Sequence, residues 1–133
     1  MSEVFGAWRL ESNRRFHDGQ FDRDTMGPEP FGRILYSPAG YMSASLASAA
    51  FRRGEAPLDW RNFLAYSGPF ELTDDGTVVH HLDFSCYTSM IGTDLVRFVE
   101  WVSDDTIKLK TAPHTNKQGK VVFDELVWHR VTD

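Results

Sequence analysis

Apolar residues alternate with polar ones at period two along most of this chain, as they do in β-strands with one buried face. Turn residues interrupt the alternation at short intervals, which predicts antiparallel strands joined by tight connections. The pattern therefore predicts an all-β fold. The expected strands are Val4 to Asn13, Gly32 to Ser37, Gly40 to Leu46, Leu64 to Leu72, Thr77 to Phe84, Asp94 to Val102, Thr106 to Thr111 and Val121 to Val131.

The first and last of these strands carry the clearest alternation. Gly6-Ala7-Trp8-Arg9-Leu10 lies in the first, and Leu126-Val127-Trp128-His129-Arg130 lies in the last. We interpret the two as neighbours in a sheet that closes on itself, which predicts an eight-stranded antiparallel up-and-down barrel. A two-sheet sandwich of the same strands is the alternative. A barrel of this size is either filled by side chains or holds one small molecule. A closed sheet therefore predicts an interior that can hold a ligand.

The alternation fails between residues 47 and 63. Alanines at the start of this stretch favour a helical turn, which Gly54 and Pro57 would end. Longer loops at the mouth of a barrel are where lids form. We therefore expect a short helical or loop lid here, on an otherwise all-β fold.

Length and composition narrow the classes of function. The chain has 133 residues, of which 41% are hydrophobic and 14% aromatic, so one domain over residues 1–133 can bury a core. The net charge is -5, from 14 basic and 19 acidic residues, whereas nucleic-acid binding needs clustered Lys and Arg. The basic pairs Arg14-Arg15 and Arg52-Arg53 are interpreted as solvated loop charges.

The expected location follows from cysteine usage and from the lack of targeting signals. Cys86 is the only cysteine, which excludes an internal disulfide, and we interpret it as a buried small apolar residue. No basic and apolar leader precedes Trp8, and no apolar run is long enough to cross a bilayer. We therefore expect a cytoplasmic protein with neither membrane nor nucleic-acid partners. A homodimer is left open.

Six blocks of sequence follow one another along nearly the whole chain. They are Gly6-x-Trp8, Gly32-Arg-Ile-Leu-Tyr36-Ser-Pro-Ala-Gly40-Tyr-Met42-Ser-Ala, Tyr66-Ser-Gly68-Pro-Phe70, His80-His81-Leu-Asp-Phe-Ser85, Gly92-Thr-Asp-Leu-Val-Arg97 and Leu126-Val-Trp128-His-Arg130. In their order and spacing these blocks resemble the lipocalin-like domain family of bacteria and fungi.

The resemblance implies an eight-stranded calycin-type barrel with a central cavity. It also implies that the indole of Trp8 plugs one end of the barrel and that Arg130 packs across it in a cation–π contact. Some related barrel proteins of secondary metabolism act as cyclases or isomerases without a cofactor. The resemblance therefore implies the fold more strongly than it implies a function.

Arg97 is the strongest candidate for a residue that contacts a ligand. It shares the parity of its strand with Leu95, Val99 and Trp101, which would place a guanidinium inside the barrel. A buried charge is costly unless it is paired. Arg97 would then anchor a carboxylate, enolate or phenolate of a ligand, or else pair with an internal carboxylate or an aromatic face.

His80 and His81 are candidates for proton transfer, but adjacent residues of a strand point to opposite faces. Apolar parity places His80 inside and His81 outside. The family pattern emphasises His81 and Ser85 at least as much, and a β-bulge near Ser85 would reconcile the two arguments. The inward histidine would be a general acid or base, or else a hydrogen-bonded core residue.

The remaining ligand-binding candidates are aromatic or soft apolar side chains. Tyr66 shares a face with its apolar neighbours and should point inward, whereas Tyr36 and Met42 share a face only if the loop between their strands has an odd number of residues. Trp60 would cover the mouth from the lid. These residues could equally be plain core packing. Gly68, in the middle of a strand, predicts a sharp bend or a close backbone approach.

We therefore expect a barrel that binds a small apolar or amphipathic molecule with an anionic or hydrogen-bonding end. The alternative is a cofactor-independent isomerase, cyclase or dehydratase of secondary metabolism, with His80 or His81 and Arg97 as catalytic residues. A filled barrel that acts through its surface is a third hypothesis. No cofactor is expected, and the scattered histidines predict no metal site.

Overall fold

The computed structural model describes residues 3–132. Within that range one antiparallel sheet of eleven strands contains almost all the regular structure. A four-residue helix, α1 (Ala49–Arg52), and a single 3₁₀ turn (Thr88–Met90) complete it. The strands are β1 (Gly6–His17), β2 (Gln20–Asp24), β3 (Phe31–Tyr36), β4 (Tyr41–Ala47), β5 (Phe63–Leu72), β6 (Thr77–His81), β7 (Phe84–Ser85), β8 (Asp94–Ser103), β9 (Thr106–Thr111), β10 (His114–Thr115) and β11 (Val121–Arg130).

The sheet closes into a barrel because its first long strand pairs with its last. β1 lies against β11 from the pair Trp8 and Arg130 to the pair His17 and Val122. The remaining strands of the ring follow in the order β3, β4, β5, β6, β8 and β9, while β2, β7 and β10 are short additions to it. The eight-stranded barrel expected from the sequence is therefore confirmed, and the sandwich is excluded.

Three local expectations were wrong. β1 continues to His17 because its second half pairs with both β2 and β11, so Arg14-Arg15 lies in a strand rather than a loop. The expected strand from Thr77 to Phe84 divides into β6 and β7, since Leu82 exchanges backbone hydrogen bonds with the turn before β8 instead. Cys86 is exposed beyond the end of β7.

The closed end of the barrel has the plug that the resemblance implied. Trp8 is fully buried, and its Nε1 donates to the carbonyl of Val4 at 2.8 Å. The guanidinium carbon of Arg130 lies 4.3 Å from the centre of the Trp8 ring, and its nitrogens donate to the carbonyls of Glu3 and Phe5. Trp8 and Arg130 therefore tie the terminal segments across this end.

Gly68 allows β5 to pass unusually close to the end of β6. A Cβ atom at this position would overlap the carbonyl oxygen of His81, and Asp83 also lies nearby. The close backbone approach expected from the sequence is thus present. It matters for the interior because Tyr66 and His80 lie on these same two strands.

Replacement of Gly68 by alanine should destabilise the fold more than the same change at Gly119. Both glycines have a positive φ, but open space surrounds Gly119, so Gly119→Ala isolates a backbone cost of about 1–2 kcal/mol. Gly68→Ala adds a backbone overlap, and overpacking costs about another 1–3 kcal/mol. Urea unfolding of the two variants measures the difference. Equal losses of stability would contradict the close approach.

Candidate ligand-binding site

A small chamber lies in the barrel interior, away from the Trp8 plug. Its volume is about 100 Å³. Apolar side chains from several strands form most of the wall, among them Ile34, Leu109 and Leu126. Polar groups face the same space, which is unusual for the centre of a small barrel. They belong to Asn13, Tyr66, His80, Arg97, Thr111, Asp124 and Trp128.

A wider cavity of about 500 Å³ forms the mouth of the barrel. It adjoins the chamber, because Asn13, Met26, Leu64 and Asp124 line both spaces. We call these four shared residues the neck. The chamber and the mouth are therefore adjacent, with the residues of the neck between them.

The segment expected to form a lid does reach the mouth. Ser48 caps α1 by accepting from the backbone N–H of Phe51 at 3.1 Å, and the loop that follows brings Trp60 and Arg61 to the mouth. Trp60 is 63% exposed, and the Arg61 guanidinium lies 5.1 Å from the centre of its ring. This segment borders the opening and leaves it accessible.

His80 is completely buried and electrically neutral. Burial lowers the pKa of its imidazole to about 3, and the positive charges of Arg97 and His81 act in the same direction. The Tyr36 hydroxyl lies 2.7 Å from His80 Nε2. Burial raises the pKa of Tyr36 well above its ordinary value, so this phenol keeps its proton.

The contact with Tyr36 defines which nitrogen of His80 carries the proton. Within residues 3–132, the Tyr36 hydroxyl has no hydrogen-bond partner other than His80 Nε2, so its one proton is donated there. A neutral imidazole that accepts at Nε2 carries its hydrogen at Nδ1. His80 Nδ1 is buried without a partner. His80 therefore has one ring nitrogen bonded to Tyr36 and one, Nδ1, without a hydrogen-bond partner among the described residues.

Arg97 faces inward from β8, on the face that the sequence parity predicted. It lines the chamber, donates to the carbonyl of Val96 at 3.2 Å and lies beside the Tyr66 hydroxyl. Burial raises the pKa of Tyr66, and the charge and hydrogen bond of Arg97 offset part of that rise. In the described part of the chain, no carboxylate forms an ion pair with Arg97.

The one carboxylate of the chamber already has a partner. Asp124 accepts from Arg15 Nε at 2.8 Å and from Arg15 Nη2 at 3.0 Å. Such a two-point pair uses both carboxylate oxygens. The interpretation of Arg15 as a solvated loop charge was therefore wrong, and the charge of Arg97 is left without a neutralising group.

Three polar atoms that line the chamber have no hydrogen-bond partner among the described residues. They are Asn13 Oδ1, His80 Nδ1 and Trp128 Nε1, and all three are buried. An unsatisfied buried donor or acceptor costs roughly 1–3 kcal/mol. Three residues of the chamber wall therefore each carry an unsatisfied polar atom.

The candidate residues fall into three groups. Tyr66, His80 and Arg97 meet in the chamber, with Tyr36 directly behind His80. Met42 lies directly opposite Tyr36 across the hairpin, with the odd number of five residues (37–41) between the two, and both are buried in the core. The other two lie elsewhere, namely Trp60 at the mouth and His81 on the outer face.

His81 does not reach the interior. Its Nδ1 lies 2.8 Å from Asp94 and its Nε2 lies 3.4 Å from Glu71. The hydrogen bond with Asp94 raises its pKa, and both acidic neighbours add to the rise. Of the two histidines, the one that apolar parity placed inside is the one in the chamber.

Asn13 and Trp128 were not among the residues expected from the sequence. Trp128 lies on the regular strand β11, and its parity with Leu126, another chamber residue, could have found it. Asn13 has no such signal. A β-bulge between Leu10 and Ser12 shifts the register of β1, so Asn13 and Arg15 face inward where simple alternation from Trp8 would place them outside.

Comparison with known proteins identifies the family. The model of the lipocalin-like domain matches residues 5–131. The chain belongs to this family. The lipocalin-like fold is one whose members bind small hydrophobic ligands. Among curated proteins the comparison found no match.

Solved structures agree with this lipocalin-like fold. Bovine odorant binding protein, in complex with a selenium-containing odorant, is 13% identical with a TM-score of 0.50, over 99% of this chain and 73% of that one. The same bovine protein complexed with its natural ligand is 14% identical with a TM-score of 0.50, over 100% of this chain and 74% of that one. At this identity the similarity shows the fold alone.

Between residues 3 and 132, no group of three or more His, Cys, Asp or Glu side chains is arranged to hold a metal ion. None of the helices in that range has the length and apolar character needed to cross a membrane.

Because His80 is buried and neutral, the free energy of unfolding of this lipocalin-like domain should depend on pH in the acid range. Unfolded His80 takes up a proton near pH 6.5, whereas the folded pKa is about 3. Between these values the unfolded state binds more protons, so the stabilisation is complete above about pH 6.5 and is lost as the pH falls toward 3. Urea unfolding between about pH 6 and 4.5 should show a contribution of up to about 1.4 kcal/mol per pH unit.

Two variants isolate this contribution. His80→Gln should reduce the dependence of the unfolding free energy on pH in this acid range. His81→Gln is the matched control, because the pKa of His81 is raised and its contribution to stability is lost as the pH rises, not as it falls. A wild-type dependence that survives unchanged in His80→Gln would contradict the buried neutral state.

Proposed function

We propose that this lipocalin-like domain binds a small amphipathic molecule whose anionic end occupies the chamber and whose apolar body extends toward the mouth. The single observation that carries the proposal is Arg97, a cation inside the barrel without a carboxylate partner in the described chain. Arg97 is partly buried, and a partly buried charge without a neutralising partner is less favourable than a paired one. An anionic ligand would supply the missing partner.

The groups around Arg97 favour an anion over a neutral polar group. Tyr66 and Tyr36 keep their protons because burial raises the pKa of each, and His80 is neutral. None of the three therefore adds negative charge, and the Tyr66 hydroxyl adds a hydrogen-bond donor, whereas the Tyr36 hydroxyl is already bonded to His80. A carboxylate or another oxyanion is the ligand group that such donors stabilise best.

The volumes of the chamber and the mouth indicate which end of the ligand would lie innermost. A chamber of about 100 Å³ admits only a few heavy atoms, whereas the mouth offers about 500 Å³. Met26 and Leu64 give the neck an apolar surface, and Trp60, Tyr87 and Met90 continue it outward. The anionic head would therefore lie innermost, with the hydrocarbon or aromatic part held at the neck and mouth.

Arginines at the mouth favour entry of an anion although the whole chain is acidic. Arg15, Arg23 and Arg61 line the mouth, while the net charge is -5. Arg15 and Arg23 each pair with one aspartate, and Arg61 stacks over Trp60. Of the three, Arg61 has no acidic partner among the described residues, so its charge is the one that would attract an anion.

A cofactor-independent isomerase, cyclase or dehydratase is the second candidate function. The donors around Arg97 favour it to the extent that they could stabilise an oxyanion in a transition state. His80 does not suit the part of general base, because a group whose pKa is about 3 accepts protons weakly at neutral pH. The geometry supports binding better than proton transfer by His80.

The binding proposal can be tested with decanoate and decanamide, which have nearly the same shape and differ in charge. Isothermal titration should show that the wild-type protein binds decanoate more tightly, since a hydrogen-bonded charge contributes about 1.5–3 kcal/mol. Arg97→Gln should weaken decanoate binding by about tenfold or more and change decanamide binding by less than about twofold.

The matched control is Arg9→Gln. Arg9 lies on the exposed face of β1, so its removal changes the net charge equally without touching the chamber. Both ligands should bind this variant as they bind the wild type. The proposal is wrong if Arg97→Gln leaves decanoate binding intact, or if it weakens decanoate and decanamide to the same extent.

A further inference from the structure

We infer that the outer surface of the barrel carries a second binding site, beside α1, which takes an acidic peptide segment of a partner protein with one large apolar side chain as its anchor. The site consists of an apolar hollow and the unneutralised arginines around it. None of these arginines lines the chamber or the mouth, so the inference does not depend on the proposed function.

The hollow lies between α1 and the outer faces of β3, β4 and β5. Its volume is about 320 Å³, at the lower end of the range for binding pockets. Phe31, Ala47 and Phe63 are register partners on the three strands and line it together. Phe51 of α1 stacks on Phe63, with the ring centres 5.0 Å apart. A recess of this size and composition suits one large apolar side chain, the kind of anchor that dominates many interfaces.

Two arginines stack on an aromatic ring at the rim of the hollow. The guanidinium carbon of Arg52 lies 3.9 Å from the centre of the Phe31 ring, and that of Arg33 lies 4.8 Å from it. Among the described residues, neither side chain forms an ion pair or a hydrogen bond. A stacked guanidinium is held in place through its face, and its N–H groups remain available to a carboxylate.

A third arginine adds a repulsion that the described chain leaves unrelieved. Arg9 of β1 lies directly opposite Arg33 of β3, and both side chains are exposed. Like charges directly opposite each other on neighbouring strands are destabilising. The acidic residue of β1, Glu11, contacts His129 instead. A carboxylate bound between the two arginines would relieve the repulsion.

The strands around the hollow present no acidic side chain to the outside. The outward positions of β3, of β4 and of β5 as far as Ser67 are occupied by Phe, Arg, Leu, Tyr, Ser and Ala. The whole chain, by contrast, has a net charge of -5. A cationic face on an acidic protein is complementary to an acidic partner and steers that partner to this face.

The shape of the site favours a peptide over two other anionic partners. A membrane presents an extended surface, whereas the hollow is a recess for a single side chain. A polynucleotide is bound through many phosphate contacts, and the net charge of -5 opposes a long polyanion. A short acidic segment can place its carboxylates on the arginines and its one apolar side chain in the hollow.

Fluorescence anisotropy with labelled peptides tests the site. The probes are short peptides of Asp and Glu with Phe, Leu or Trp at the centre, and the same peptide with Ala there. At least one of the first three should bind about tenfold or more tightly than the Ala peptide, because its side chain is buried in the hollow. Added salt should weaken the binding. If none of the three binds more tightly than the Ala peptide, the inference is overturned.

Two pairs of variants locate the contact. Arg52→Gln should weaken peptide binding by about threefold or more. Arg53→Gln removes the same charge one residue further on and should not, because Arg53 pairs with Glu55 and does not line the hollow. Ser45→Phe should fill the hollow and exclude the anchor, whereas Ser43→Phe changes the neighbouring outward position of β4, which does not line it. Equal effects within either pair would also overturn the inference.

The remaining outcomes distinguish the partners and the two proposals. Vesicles that contain phosphatidylserine, or a single-stranded oligonucleotide, would overturn the inference if either bound more tightly than every peptide. The inference and the proposed function can fail separately, because Arg52→Gln tests the one and Arg97→Gln tests the other. The wild-type titrations decide between the peptides even if a variant does not fold, and thermal unfolding of each variant identifies that case.

Discussion

The pairing of β1 with β11 is the constraint on which the rest of the structure depends. It joins residues more than a hundred positions apart in sequence, such as Arg15 and Asp124, and it converts a sheet with two open edges into a barrel with an interior. Trp8 and Arg130 secure the pairing at one end. The mouth lies at the other end, where the barrel opens to solvent.

Closure also makes the interior an expensive place for polar groups, and this chain nevertheless places several there. A core built only for stability would fill the same volume with apolar side chains. Asn13, His80 and Trp128 instead leave polar atoms unpartnered, and Arg97 adds a charge. Local departures of this kind, inside an otherwise consistent fold, are typical of functional sites. These departures are the reason that we propose the chamber as a binding site.

Regular strands allowed much of this arrangement to be predicted from the sequence. Parity along β5, β6 and β8 placed Tyr66, His80 and Arg97 inside, because the side chains of an unbroken strand alternate strictly. The inward positions of Asn13 and Arg15 were not predicted, because the bulge after Leu10 reverses the alternation of β1. No feature of the local sequence indicates that bulge. The pairing of the first and last strands was predicted, but not its register, so the neutralisation of Asp124 by Arg15 and the isolation of Arg97 emerged only from the structure.

The most direct test of a binding chamber anchored by Arg97 is a crystal structure of the complex with 10-bromodecanoate, with the bromine located by anomalous diffraction. We expect the carboxylate oxygens within hydrogen-bond distance of Arg97 and the bromine at the mouth, beside Trp60 and Tyr87. A bromine inside the chamber, with the carboxylate in solvent, would contradict this account. So would a ligand bound only to the outer surface of the barrel.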